Sequence, residues 1–345
     1  MAQHTPPQGS VAPDQTNVPG VVIYPAPPAG FDALTASDAD LAQYGFPPRP
    51  DAQSAPEAYA HWQKMVASPQ KRITPKLQQT TIYNGPAQDV SVGETLDNGA
   101  VASTSTNWSG YVVTGPKGML KVNNSYVYAE WVVPIAQQAY KVCNGGWDYS
   151  SQWVGIDGSG SSDVLQAGTE ADAYCSGGTT GTFYSPWFEW FPNSEVRITN
   201  LPANPGDLII VEVWYTTAAP LGHAYIVNYG TNPAESVNIG FNPPKGTTLN
   251  GNSVEWIVER PGISGGLATL TNYSAVPFNL AHARKGTTSN FYYPGSSPAG
   301  TTIYDSTMVC PPWTPSSSCT SPTAISYVDL YGAESLWFYP EGPAY

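Results

Sequence analysis

Trp153-Val154-Gly155-Ile156-Asp157-Gly158, followed shortly by Val164-Leu165-Gln166-Ala167-Gly168, is the stretch whose reading decides the fold. It starts as an apolar strand, turns through a tract of Gly, Ser and Asp, and resumes as a second short strand. Gln166 sits in the middle of that second strand. An amide there is costly to bury unless it has partners or a task. Far downstream, Val254-Glu255-Trp256-Ile257-Val258-Glu259 repeats the puzzle with a carboxylate. The expectation is that Gln166 and Glu255 face each other across a groove.

Working outward, short aromatic and β-branched runs with turn residues between them recur from Trp108–Val113 to Ser335–Phe338. That spacing points to an all-β sandwich or barrel. The N-terminal part differs. Residues 1 to about 30 are rich in Pro, Gly and Ala and should be extended or disordered. Ser37-Asp38-Ala39-Asp40-Leu41 reads as a helical turn capped by Ser37, with Asp40 at its third position. Pro56–Val66 is the one convincing helix, with Tyr59, Trp62 and Val66 along one face. Lys64, Lys71, Arg72 and Lys76 follow as a basic cluster, and Asn84 to Thr106 reads as a linker. The division expected is an extension over 1–100 and a β-domain over 101–345.

Composition narrows the function. The 345 residues suit one large β-domain with an appendage. A formal net charge of −13 argues against nucleic acid and anionic membranes as partners. Charged residues make up only 11%, and just 13 Lys and Arg plus 4 His can stay positive in acid, so the chain looks built to survive low pH. There is no apolar run long enough to span a membrane. Met1-Ala2-Gln3-His4 has neither the basic nor the apolar part of a signal peptide, so secretion implies a signal already removed. Cys143, Cys175, Cys310 and Cys319 form no Cys-x-x-Cys pair, and two disulfides fit an exported protein. Cys143–Cys175 and Cys310–Cys319 are favoured among three connectivities because each closes a local loop.

Common catalytic machinery is missing. There is no Gly-x-Ser-x-Gly, no His-Glu-x-x-His and no phosphate-binding glycine loop. The tract from Asp157 to Asp163 starts like a calcium loop but lacks its glycine and terminal glutamate, so no metal or other cofactor is expected. What remains is a set of acids and amides in aromatic strands: Glu130, Asp157, Gln166, Glu189 and Glu255. A glutamate beside a tryptophan ordinarily points to solvent while the ring packs inward, yet these recur at strand centres in a chain poor in charge.

Asn107-Trp108-Ser109-Gly110-Tyr111, Glu130-Trp131-Val132-Val133-Pro134, Trp153 to Gly158, Leu165-Gln166-Ala167-Gly168, Trp187-Phe188-Glu189-Trp190-Phe191-Pro192 and Glu255 to Glu259 stand in an order that resembles the glutamic peptidases, or eqolisins. The resemblance covers about residues 107–309. It implies a concanavalin-like sandwich of two antiparallel sheets and a secreted, monomeric, pepstatin-insensitive endopeptidase acting on protein or peptide substrates in acid. It implies a catalytic dyad at Gln166 and Glu255, with Trp153 and Asp157 lining the cleft and Trp187 and Glu189 on a neighbouring strand. Glu170 falls where an aspartate is usual in the family, and Phe191 where a tyrosine is common. Residues 1–100 become a candidate inhibitory propeptide, its Lys64–Lys76 cluster crossing the acidic cleft, with self-cleavage within about residues 77–106. The rival readings are a lectin-like carbohydrate-binding module and a glycoside hydrolase using Glu189 and Glu255. Gln166 in its Leu-Gln-x-Gly context speaks against both.

Overall fold

Strict two-residue alternation places half of each strand in a shared core and leaves the other half to form a second surface. The computed structural model describes residues 12–67, 70–139, 143, 145–287, 290–309 and 324–340. In one layer the neighbours run Val101–Ser105, Thr302–Val309, Trp108–Thr114, Ser253–Glu259, Ser151–Ile156, Val164–Ser176, Thr179–Phe191, Val196–Ile198 and Leu77–Gln79. The pairings are antiparallel except the first. The other layer runs Ser335–Pro340, Val276–Arg284, Ser125–Val132, Leu208–Tyr215, Gly222–Asn228 and Ala234–Phe241, all antiparallel. At one edge Ala324–Tyr331 pairs with both Thr302–Val309 and Ser335–Pro340 and so joins the layers.

The core between the layers takes Val154, Ile156, Leu165, Ala167, Phe188, Trp190, Val254, Trp256 and Val258 from the first sheet. From the second it takes Val127, Ala129, Trp131, Val211 and Val213. Two indoles tie the sheets together as they fill the gap. Trp256 Nε1 donates to the Tyr128 carbonyl at 3.0 Å, and Trp131 Nε1 donates to Thr169 Oγ1 at 2.9 Å. The all-β sandwich expected from the strand pattern is therefore present.

The N-terminal residues wrap this sandwich. Ser37 caps Asp38–Gln43 through a capping box closed by Asp40. The Pro56–Ala67 helix buries Ala58, Trp62 and Met65. It packs on the outer face of the second sheet, against Tyr126, Tyr128, Ile210, Trp214, Tyr225 and Val227. Val21–Ile23 adds an antiparallel edge to Ala234–Phe241, so part of the segment expected to be loose is ordered strand.

Two further expectations need correction. Residues 84–106 are not a linker: Ser91–Thr95 and Val101–Ser105 form a hairpin whose second strand enters the first sheet, across the expected boundary at 100. Small polar side chains suited a sheet edge there as well as a loop. Lys71 and Arg72 of the basic cluster, for their part, lie at the second sheet, whereas Lys76 flanks Leu77–Gln79 at the first sheet's edge. Gln70–Arg72 runs parallel to the start of Ala234–Phe241, and Lys71 Nζ meets Glu235 at 3.0 Å. Arg72 lies over the Phe46 ring.

Cys143 and Cys175 are disulfide-bonded, as expected. Cys310 and Cys319 lie outside the described residues. Truncating the inter-sheet anchor with Trp256→Ala should cost about 3–5 kcal/mol of stability, read as a lowered midpoint in urea unfolding.

Candidate active site

The first sheet's other surface carries the chemistry, and strand register assembles it. Gly155 lies opposite Gln166 on one side and opposite Glu255 on the other. Gln166 in turn lies opposite Glu189. Directly opposed residues point to the same face, so Glu255, Gly155, Gln166 and Glu189 form a row across four strands. The next row holds Ile257, Trp153, Gly168 and Trp187, and the one after holds Glu259, Ser151, Glu170 and Ser185.

Two glycines shape this face. A Cβ on Gly168 would stand 2.6 Å from Trp153 Cβ and 2.1 Å from the Gln152 carbonyl oxygen, so the bare position lets the Trp153 and Trp187 indoles stand in one row. A Cβ on Gly155 would stand 2.9 Å from the Trp153 ring and 3.1 Å from Gln166 Cβ. Gly155 adds no side chain of its own between the amide and the carboxyl, and the Trp153 ring lies over it. Their backbones are about 9–10 Å apart, two strand spacings.

Both groups are fully buried. Gln166 Oε1 and both Glu255 oxygens lack a hydrogen-bond partner of good geometry among protein atoms. Burial pushes the Glu255 carboxyl well above the usual carboxylate range; Ser253 and the Ser159 backbone temper that rise but do not reverse it.

The residue that covers the dyad comes from the N-terminal part. Gln166 Nε2 donates to the Asn84 carbonyl. The Asn84 N–H donates to Glu189 Oε2 at 3.0 Å, with the Asn84 Nδ2 on the same oxygen at 3.2 Å. The Gly85 N–H donates to Glu259 Oε1 at 3.1 Å, and Trp108 Nε1 donates to the Gly85 carbonyl at 3.0 Å. Asn107 Nδ2 holds the Pro86 carbonyl at 3.1 Å. On either side, Tyr83 exchanges backbone hydrogen bonds with Gly262, and the Ala87 N–H donates to the Gly158 carbonyl at 3.2 Å. Residues 82–87 thus form a strap laid through the groove, and Asn84 is fully buried.

The other expected site residues divide. Trp153 is at the groove, its Nε1 donating to Glu259 Oε2 at 2.9 Å and its ring edge-on to Trp108. Trp187 is buried beside it. Asp157 is engaged by a turn, and its charge adds to the rise at Glu255. At φ +74° its carboxylate accepts the backbone N–H groups of Asn250, Gly251 and Asn252 at 2.6–2.9 Å. It holds the turn that leads into the Glu255 strand.

Glu170 belongs to a buried ion cluster. Arg197 Nη2 lies 2.6 Å from Glu170 and 3.8 Å from Asp172, and its Nε lies 3.0 Å from Glu195. Burial raises all three carboxyls, with Arg197 pulling against it. Glu130 is on the other sheet, paired with Ile210 and half-buried, remote from this row.

Sequence reasoning passed over Glu259, Glu195, Arg197, Gly155 and Asn84. Glu259 could have been found, since four residues from Glu255 along a strand is the same face. Asn84 carried no signal. Among the described residues, no group of His, Cys, Asp and Glu could hold a metal ion.

The all-β sandwich thus carries, on one sheet face, an amide and a carboxyl that flank a bare backbone position. The model of the peptidase A4 family matches residues 106–322, and the chain belongs to that family, the glutamic peptidases. It is similar to Aspergillopepsin-2 of Aspergillus niger, 29% identical over 194 residues, which are 53% of this chain and 65% of that protein. The chain therefore spans just under two-thirds of that relative's length. Among solved structures it is similar to scytalido-glutamic peptidase with a transition state analog inhibitor. That match is 20% identical with a TM-score of 0.49, covering 68% of this chain and 98% of the other. It is also similar to aspergilloglutamic peptidase from Aspergillus niger, 23% identical with a TM-score of 0.43, covering 56% and 99%.

Gly155→Ala should cost about 1–3 kcal/mol by overpacking and should displace the Gln166 amide, read by chemical denaturation together with peptidase assay. Arg197→Met should cost about 3–5 kcal/mol at pH 7, where it strands buried carboxylates. At pH 3 those carboxyls are protonated with or without the arginine, so the loss there should be much smaller. Urea unfolding at both pH values reads the difference.

Proposed function

We propose that this chain is a secreted, acid-acting endopeptidase in which Glu255 and Gln166 hydrolyse peptide bonds of protein substrates, and that residues preceding the sandwich hold it inactive. The observation that carries the reading is the Gln166 amide donating to a peptide carbonyl, that of Asn84. The row that holds this amide also holds Glu255, with the bare Gly155 between them.

In the open groove the ionised Glu255 takes a proton from water as the water oxygen bonds to the scissile carbonyl carbon. Negative charge develops on the carbonyl oxygen, where the neutral Gln166 amide donates without titrating. Glu255 then returns the proton to the amide nitrogen as the C–N bond breaks. With the strap in place, burial disfavours the ionised Glu255 that this sequence needs. Removing the strap readmits water and lets the pKa fall toward the ordinary value near 4, suited to a base in mild acid.

The strap lies along the groove as an extended peptide, with donors and acceptors engaged on both sides of Asn84. This supports the reading of the N-terminal part as an inhibitory propeptide, through its neutral residues 82–87 in place of its basic cluster. The strap must leave, or be cut, before another peptide can enter.

A glycosidase pair of Glu189 and Glu255 is disfavoured by what separates them. The two stand three strand spacings apart, about 14 Å between backbones, with Gly155 and the Gln166 amide in the row between them. Against a lectin reading, the groove tryptophans Trp108, Trp153 and Trp187 are wholly buried, and only Trp147 and Trp337 are exposed among the described tryptophans.

Glu255→Ala should abolish cleavage of an acid-denatured protein at pH 3–4, and Gln166→Ala should lower kcat about 10²–10³-fold. Wild-type cleavage should persist with pepstatin present. Incubating the full chain at pH 3–4 should yield a new N-terminus between residues 77 and 106, with Gly85 the first expected. A chain that stays intact and is nevertheless fully active overturns the inhibitory role.

A further inference from the structure

The strap cannot supply its own acid trigger. It carries no basic residue, and its partners Glu189 and Glu259 accept backbone N–H groups from it. Burial raises both carboxyls well above their usual range. A group whose pKa is higher when covered binds its proton more tightly in the covered state, so these carboxyls favour the docked strap as pH falls. Whatever releases the N-terminal part in acid must lie elsewhere.

It lies on the opposite sheet. Besides His4, outside the described residues, the chain has three histidines, and all three sit where residues 12–67 cover the outer face of the second sheet. His223 is buried, stacked on Trp214 with ring centroids 4.8 Å apart. Its Nδ1 lies 3.4 Å from the hydroxyl of Tyr24, which comes from the covering segment, and its Nε2 lies 3.1 Å from Thr216 Oγ1. His282 is buried among Tyr126, Tyr128, Phe291 and Tyr293. Its ring centroid is 5.9 Å from that of His61 on the Pro56–Ala67 helix. Its Nδ1–H donates to the Leu280 carbonyl at 2.7 Å, which leaves Nε2 to take a second proton.

We propose that His223, His282 and His61 form an acid-sensitive latch, whose protonation expels the N-terminal segment from the outer sheet face and so frees the strap that it carries. This rests on the inhibitory reading above.

The contacts of the rings themselves favour expulsion. None of the three rings has a carboxylate within ion-pair distance among the described residues. Protonated His282 would face His61 across the helix contact and Arg284 along its own strand. On the helix, Lys64 opposes a charge on His61 and Glu57 favours it. Glu212 lies opposite Tyr128, and Glu130 follows Tyr128 on the same outer face. Burial raises Glu212 to about 8 and raises Glu130 too, so these two carboxyls favour docking as pH falls and the two buried histidines must outweigh them. Glu334 faces Glu57 and Tyr293. Around His223, Asp38 and Arg49 share the lining of a cavity of about 340 Å³ with Tyr24.

The sign runs opposite to that of the strap's carboxyls. Burial lowers His282 to about 4 and His223 to about 3, and it lowers His61 as well. Docking is therefore fully favoured above the free histidine value and is lost as pH falls from about 6.5 toward 4. Over that window each of His282 and His223 shifts the ratio of released to docked segment about 10²-fold.

The test is hydrogen exchange, corrected for its intrinsic pH dependence, on the full chain carrying Glu255→Ala so that cleavage does not intrude. Peptides from Pro56–Ala67 should lose protection between pH 6.5 and 4 while those from Ser253–Glu259 keep it. Adding His223→Gln and His282→Gln should lower the midpoint of that loss by at least one pH unit. His61→Gln, half-buried on the helix and harmless to the sandwich, should lower it by less. A helix protected down to pH 3.5, or a midpoint that none of these substitutions moves, overturns the latch. Failure of the inhibitory reading shows separately, as full peptidase activity in the intact wild-type chain at a pH where the helix is still protected.

Discussion

A missing side chain governs this molecule. Gly155 occupies the centre of a row of opposed residues, and a methyl group there would press on the Trp153 ring and on Gln166. Because it is bare, the Trp153 ring can lie over it between an amide and a carboxyl two strands apart. Sheet pairing then fixes their separation as firmly as it fixes the spacing of the backbones. A site built on neighbouring strands needs no mobile loop to bring its groups together, and the apolar reverse of the same strands locks them into the core.

The same sheet face collects far more acid than one dyad uses. Glu170, Asp172 and Glu195 gather on Arg197, and Glu189 and Glu259 hold the strap. All are buried, and burial makes each prefer its proton. Such a surface grows easier to cover as the solution becomes more acidic. The histidines behind the second sheet respond in the opposite sense. The chain thus confines its described buried histidines to one of the two surfaces that its N-terminal part touches, beside Glu212, whose burial raises it to about 8.

Much of this was legible in the residues. Alternating aromatic and β-branched runs announced the sandwich, and the family-like order of motifs pointed to Gln166 and Glu255, which register then placed in one row. The capping box at Ser37 and the Pro56–Ala67 helix followed from local chemistry alone. What could not be read depended on distant pairing. Nothing in Asn84-Gly85-Pro86 distinguishes a strap in a groove from a loop in solvent, because the strap is held through its backbone. The family resemblance made Asp157 a cleft residue; that its left-handed backbone brings the carboxylate onto the 250–252 turn was not legible. The basic cluster suggested an acidic target, and its Lys71 found Glu235 on the far sheet, a contact that no local pattern specifies.

The grip on residues 84–87 involves carbonyls and N–H groups, which every polypeptide other than a run of prolines can present. Glu259, Trp108 and Asn107 meet only main chain of the strap, whereas Glu189 also accepts the Asn84 side-chain amide at 3.2 Å. Beside that track the Phe191 ring would stand 3.2 Å from a Cβ placed on Gly85, so a side chain at residue 85 of the strap would require that ring to give.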